Sequence, residues 1–464
     1  MRRMSTFCPG PSSRRDFLKV GFLSGLGLSL GDYFSLRAAQ AATTPREDPP
    51  ADSAILIFLD GGLSHLESFD PKPEAPIDYR GDLGSVRTVT GEYFGGLFPQ
   101  TASIADKIAI IRTVNHSAKF HLRAKGNMLT GRDTKPEIIY PSYGSIVSHE
   151  LGPRANLPAY TCIPSLLDPN LGYGYLGLAH SAFTVEGEPL HEGFKVKNLN
   201  LPSGVSPERM EKRRTLLEEV DSHTKNLETS DAVRSMDEYY GRAYALISSE
   251  SAREAFDITA EPQAIRDEYG MTAMGQRLLL SRRLVEAGAR FVTVFDQGWD
   301  LHEDIKPAME ARAPGLDRGY ATLIRDLERR GLLDRTLVIL ATEFGRSVQI
   351  NHLAGRDHWW RAFSIALAGG GIQKGIVYGK TDAHAAEIIE NPVSPEDLAA
   401  TILTQLGISP SKKLLSPGGR PVALTGEGSI LFDILALFLM NTTTIKFCTL
   451  SLLPLIVMAL APAS

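Results

Sequence analysis

Five runs of apolar residues recur along the chain: "SAILIFLDGG" (53–62), "KIAIIRTV" (107–114), "RFVTVFD" (290–296), "TLVILATEFG" (336–345) and "AFSIALAGGG" (362–371). They are continuous rather than alternating, which is the pattern of strands covered on both faces, and so predict a mainly parallel sheet. "MGQRLLLSRRLVEAG" (274–288) and "GLDRGYATLIRDLERRG" (315–331) carry apolar residues at helical spacing, and each closes on a glycine. Strand, helix, strand in this order predicts an α/β fold of three α/β/α layers. From about 200 to 265 the sequence is charged and helical with no strand-like run, and reads as a helical insertion or cap.

Ionisable residues gather where the runs end. In open α/β sheets, ligands bind beyond the C-terminal ends of the strands. Asp60 ends the first run, Asp296, Asp300 and His302 lie in "FDQGWDLH", Glu343 follows the 336–342 stretch, and Asp357 and His358 come in the loop after it. Carboxylates and imidazoles without a thiolate form the ligand set of a divalent ion such as Zn, Mn or Mg. A single Asp after a strand would be a cap or turn residue. Repetition at successive strand ends favours a metal site.

Other side chains belong to the same region. Arg346 and Arg356 flank the late loop, either gripping an anionic oxygen with their planar forks or pairing with nearby carboxylates. His116 either lines the cleft or is a polar loop residue. Ser64 follows the "DGG" turn and is the reserve nucleophile. His352, the "WW" at 359–360 and "GYGYLG" (172–177) either shape a carbohydrate cleft or pack at its rim.

"TLVILATEFG" resembles the strand-to-loop segment of the alkaline phosphatase superfamily, which includes sulfatases; "SAILIFLDGG" resembles its first metal-binding strand, and "HLRAKGNMLTG" (121–131) its nucleophile segment. "LDGGLSHLESFDPKPEAP", "YPSYGSIVSHELG", "GQRLLLSRRLVEAGARFVTV", "WDLH", "GLLDRTLVILATEFGR", "GRDHW" and "SPEDLAATIL" are similar to the exported, sulfatase-like family called domain of unknown function 1501. The resemblance implies an alkaline-phosphatase-like fold and a two-metal site. Asp60 and Glu343 would serve one ion, and Asp300, His302 and His358 the other, with Zn expected and Mn, Mg or Ca as alternatives. Two residues depart from that pattern. Phe344 stands where a metal-binding histidine is usual, and His121 where the nucleophilic Ser, Thr or Cys is usual. His121 is therefore expected to complete the shell of Asp60 and Glu343, with a metal-activated water as nucleophile; a phosphohistidine is the lesser route. The implied activity is hydrolysis of a phosphate or sulfate ester, possibly on a polysaccharide. The rival is a non-catalytic protein that binds an anionic glycan or a partner protein.

Composition narrows the partners and the location. The chain has 464 residues, with 49 basic and 54 acidic side chains dispersed along it and a net charge of -5, so no basic stripe exists for nucleic acid. Residues 1–42 carry Arg14-Arg15, an apolar Gly-rich run and "AAQAA", the pattern of a twin-arginine export signal; residues 43–52 form a leader. Export by that machinery places the protein in the periplasm or outside the cell. The domain is expected over 53–435. The tail at 440–464 reads as a read-through or a C-terminal anchor, and only the latter would bring a membrane partner. Of three cysteines, Cys162 alone falls in the domain, so no disulfide framework is available there.

Overall fold

A computed structural model describes residues 48–436, apart from 136, 169–170, 417–418 and most of 197–248. The expected signal peptide, the tail and most of the helical insertion lie outside the described residues; a helix at Glu250–Phe256 belongs to the last. Among the described residues no helix is long and apolar enough to cross a membrane.

The strands that matter to the site are β1 (Ser53–Asp60), β2 (Ile108–Val114), β3 (Tyr160–Ile163), β4 (Phe183–Thr184), β5 (Phe291–Gln297), β6 (Thr336–Thr342), β7 (Gly345–Arg346), β8 (His358–Trp359), β9 (Phe363–Ala368) and β10 (Ile376–Tyr378). All except the β7–β8 pair form one eight-stranded sheet in the order β10-β2-β9-β6-β1-β5-β3-β4. Only β9 runs against its neighbours in that sheet; the other pairings are parallel. The mainly parallel sheet expected from the continuous apolar runs is the one observed.

Strand alternation divides β1 between two helical layers. Ile55, Ile57 and Leu59 pack with leucines of two helices, at Ala273–Glu286 and Ile305–Arg329, while Ala54, Leu56 and Phe58 join the opposite core. That opposite core includes Met128 and Leu129 of α1 (His121–Thr130), Ile146 and Val147 of α2 (Tyr143–Leu151), and Leu398 and Leu403 near the C-terminus. Each fully buried aliphatic side chain of this kind contributes about 1.5–3 kcal/mol.

Helix α3 (Ala273–Glu286) starts where Thr272 accepts a hydrogen bond from the Gly275 backbone N–H. Helix α4 (Ile305–Arg329) begins ten residues before the expected start at 315 and runs through Pro314. The helix persists because Ile305, Met309 and Ala313 fall on one buried stripe at four-residue spacing. Cys162, on β3, is a free and buried thiol, and burial pushes its pKa to about 12.

The segment after β1 is buried nearly throughout. His65 is 1 % exposed; its Nε2 donates to the Ala385 carbonyl at 3.0 Å, while Nδ1 has no partner among the described residues. Burial is the main cause that holds its pKa below the ordinary histidine value. The unfolded chain therefore binds this proton more readily than the native one, so native stability is present above about pH 6.5 and is lost as pH falls. A urea midpoint that drops between pH 8 and pH 5 in the wild type, and drops less in His65→Gln, is the expected result. Equal slopes would show that His65 does not set this dependence.

Candidate metal centre

Four parallel strands deliver the site. Asp60 ends β1, the turn 298–302 follows β5, Glu343 follows β6, and α1 begins seven positions beyond the end of β2. Gly61 brings the first two together. Its φ is +123°, and a Cβ there would lie 2.3 Å from the Asp300 backbone nitrogen, so only glycine lets the 298–300 turn close onto the end of β1. The Trp299 N–H donates to the Asp60 carbonyl at 3.1 Å, and the Gly61 N–H donates to Glu343 Oε1 at 2.8 Å.

Asp300 is the centre of the cluster. Its Oδ1 lies 3.0 Å from His302 Nε2 and 3.2 Å from His358 Nε2; its Oδ2 lies 3.2 Å from His121 Nε2. Ligand atoms of His121, Asp300 and His358 all fall within 4.8 Å of one another. Partial burial tends to raise the Asp300 pKa, but the hydrogen bond and charge of Arg346, aided by His121 and His302, outweigh it and hold the carboxyl at about 2. Asp300 is thus an anion at any ordinary pH.

The tautomers of the three imidazoles follow from what their outer nitrogens touch. His358 Nδ1 faces the Lys119 carbonyl at 3.0 Å and must donate to it. His302 Nδ1 faces Asp357 Oδ1 at 3.0 Å, and this bond is the main cause of the lowered Asp357 pKa. His121 Nδ1 meets Glu343 Oε1 at 2.9 Å, the same oxygen that accepts from Gly61. In its neutral form each ring would turn an Nε2 lone pair toward a carboxylate that is itself only an acceptor; for His121 the Glu343 hydrogen bond is the main cause that raises the pKa, so with no cation in place this ring favours the proton that lets it donate to both Glu343 and Asp300. His302 Nε2 and His358 Nε2 also lie 3.0 Å apart. Lone pairs converge this way around a cation, and outer N–H groups tied to carbonyl or carboxylate oxygens are the usual support of metal-binding histidines. The residues present therefore fit a divalent ion held by His121, Asp300, His302 and His358, the His/Asp part of the expected set.

The other expected residues are placed differently. The Lys125 ammonium sits 2.5 Å from Asp60 Oδ1, so Asp60 is paired with a side chain that the sequence reading missed. Lys125 is four residues after His121 on α1, and helical spacing alone would have put both on one face. Glu343 is fully buried and acts as an acceptor for His121 and Gly61. Asp357 is exposed and orients His302. Asp296 is held by Arg277 at 3.0 Å and by Trp299 Nε1 at 2.9 Å.

Arg346 and Arg356 are buried, and of the two expected roles they take the structural one. Arg346 donates to the carbonyls of Gly61, Gly62, Trp299 and Arg356 as well as to Asp300. Arg356 pairs with buried Glu67 at 2.7 Å and donates to the carbonyls of Ser347, Val348 and Tyr79. Such forks suit several carbonyls at once because guanidinium carries five fixed donors. His116 has both ring nitrogens engaged: Nδ1 accepts from the Ala118 N–H at 3.1 Å, and Nε2 donates to the Glu343 carbonyl at 2.6 Å. Burial holds its pKa below the ordinary value. Ser64 is 2 % exposed, and its hydroxyl has no partner among the described residues.

Phe344, fully buried, stacks on His358 with ring centroids 4.4 Å apart and 29° between planes; it lies 5.1 Å from the His121 ring. It fixes the orientation of two ligating imidazoles and offers no lone pair. At the rim, Phe120 is 78 % exposed beside exposed Leu122, and the Lys119 ammonium lies 4.8 Å over the half-buried Trp360 ring.

The profile of a family described as "Protein of unknown function (DUF1501)" matches residues 51–435. No curated protein matches the chain. Solved structures that it resembles include a sulfatase from Pseudoalteromonas sp. (14% identity, 80% of this chain and 72% of that one, TM-score 0.36). A phosphonate monoester hydrolase from Silicibacter pomeroyi is another (12% identity, 83% and 76%, TM-score 0.36). A third is a protein of the alkaline phosphatase superfamily from Vibrio parahaemolyticus (10% identity, 87% and 85%, TM-score 0.35).

Proposed function

The chain belongs to the DUF1501 family of proteins of unknown function, and from its own residues we propose that it is a metal-dependent hydrolase of phosphate or sulfate esters. The observation that carries this reading is the aim of His121, His302 and His358: each is tied at its outer nitrogen and turns Nε2 toward Asp300. When bound, a divalent ion, Zn first among the alternatives, would polarise the ester and activate water. The chain's own residues hold and orient. Glu343 and Asp357 keep two imidazoles in the ligating tautomer, Arg346 keeps Asp300 ionised, and Phe344 keeps the rings in place.

The exposed Phe120 ring and the Trp360 ring under the Lys119 ammonium are aromatic faces on which sugar rings could stack, which favours an anionic glycan ester as substrate. The paired Arg14-Arg15 of the expected export signal at 1–42 supports a site of work in the periplasm or outside the cell.

One observation favours a non-catalytic binder instead: Ser64 is buried, and His121 has a carboxylate at each ring nitrogen, so neither of the two expected nucleophiles is presented free. Protein recovered from the exported fraction of its native host separates the two readings. Bound metal, with turnover of an aryl phosphate or aryl sulfate that chelation abolishes and Zn or Mn restores, supports the enzyme. Bound metal without turnover selects the binder, and a protein that takes up no metal sinks the proposal.

A further inference from the structure

Resting on that reading, we infer that the chain carries a single divalent ion, and that the Lys125 ammonium is the fixed cation of the Asp60 half of the site and the group that receives the ester's second anionic oxygen. The sequence resemblance implied an ion there, held by Asp60, Glu343 and His121. The geometry offers such an ion little. Asp60 Oδ1 is occupied by Lys125 at 2.5 Å. Glu343 Oε1 already accepts two N–H groups, from Gly61 at 2.8 Å and His121 at 2.9 Å. Next to it, Phe344 presents a ring stacked on His358 where a ligating nitrogen would be needed. His121 has its remaining lone pair directed at Asp300, toward the other half. A second ion would have to displace an ammonium or sit beside it against like-charge repulsion.

Lys125 is equipped for more than neutralising Asp60. An ammonium has three donors, and among the described residues Asp60 is its recorded partner, with the side chain still 19 % exposed. It lies one helical turn beyond His121 on α1. Because His121 of that cluster and Lys125 stand one turn apart on the same helix, a tetrahedral oxyanion with one oxygen toward Asp300's cluster would turn another toward the side of the site that holds the ammonium.

The test combines metal counting by mass spectrometry with calorimetric binding of inorganic phosphate to the metal-loaded mature protein. Wild type and Asp60→Asn are each expected to hold one ion per chain. Lys125→Met is expected to keep that ion while its phosphate Kd rises at least tenfold. Two ions in the wild type, falling to one in Asp60→Asn, would overturn the inference and leave the hydrolase reading intact; so would Lys125→Met with unchanged phosphate affinity. No ion in the wild type would instead defeat the hydrolase reading itself. If Asp60→Asn fails to fold, the wild-type count and Lys125→Met still decide.

Discussion

Asp300→Ala is expected to release the bound ion and to lower ester hydrolysis by roughly a thousandfold or more, since several kcal/mol of transition-state stabilisation go with a metal and each 1.36 kcal/mol is tenfold. Asp300 is the one side chain that all three Nε2 atoms address, at 3.0 to 3.2 Å. Without it the imidazoles keep their outer hydrogen bonds, to Glu343, Asp357 and the Lys119 carbonyl, but lose the charge that makes a divalent ion worth holding. The fold should tolerate the change, because the Asp300 side chain is part exposed and Arg346 retains four carbonyl acceptors. Metal content and turnover measured on the same folded sample check this. Full metal content in Asp300→Ala would place the ion elsewhere.

Arg356→Met is expected to cost about 3–5 kcal/mol of stability, the range for breaking a buried ion pair from one side. The substitution would strand the Glu67 carboxylate, which is buried and whose Oε2 already lacks a partner, and would orphan the carbonyls of Ser347, Val348 and Tyr79. A lower urea midpoint at unchanged m-value is the signature to look for. The double variant Arg356→Met/Glu67→Leu should regain part of the loss, because no charge is then left buried. Arg356 also anchors the loop that delivers Asp357 and His358, so metal affinity should fall in the single variant too.

The sheet was legible in the sequence because its central strands are covered on both faces and so appear as unbroken apolar runs. The cluster was partly legible for a related reason: strand ends in a parallel sheet share one edge, and Asp300, His302 and His358 reach that edge from two of them. The roles of Arg346 and Arg356 were not decided, since carbonyls that attract a guanidinium into the interior leave no mark in side-chain identity. Lys125 stands four residues from His121, a helical spacing visible in the sequence, but an ammonium has no lone pair and so carries none of the chemistry that marks a metal-ligand set. The helix was expected only over 315–331, whereas the buried stripe on both sides of Pro314 keeps it continuous from Ile305.

The reversed strand β9 has a further consequence. Because β9 lies beside β6 and runs against it, the excursion from Glu343 to Ala362 leaves the sheet and re-enters it at neighbouring places. It is a self-closing loop that carries its own buried fastening in Arg356. Its outer portion can therefore be exchanged without disturbing strand order, provided that Asn351, Leu353 and Ala354, which hydrogen-bond the 302–305 backbone, are kept. His121, by contrast, reaches Glu343 across 222 positions of chain, so this contact forms only after distant segments have docked. Exchanging the outer part of the 343–362 loop while keeping its ligands and Arg356 is thus a route to new specificity on an unchanged scaffold.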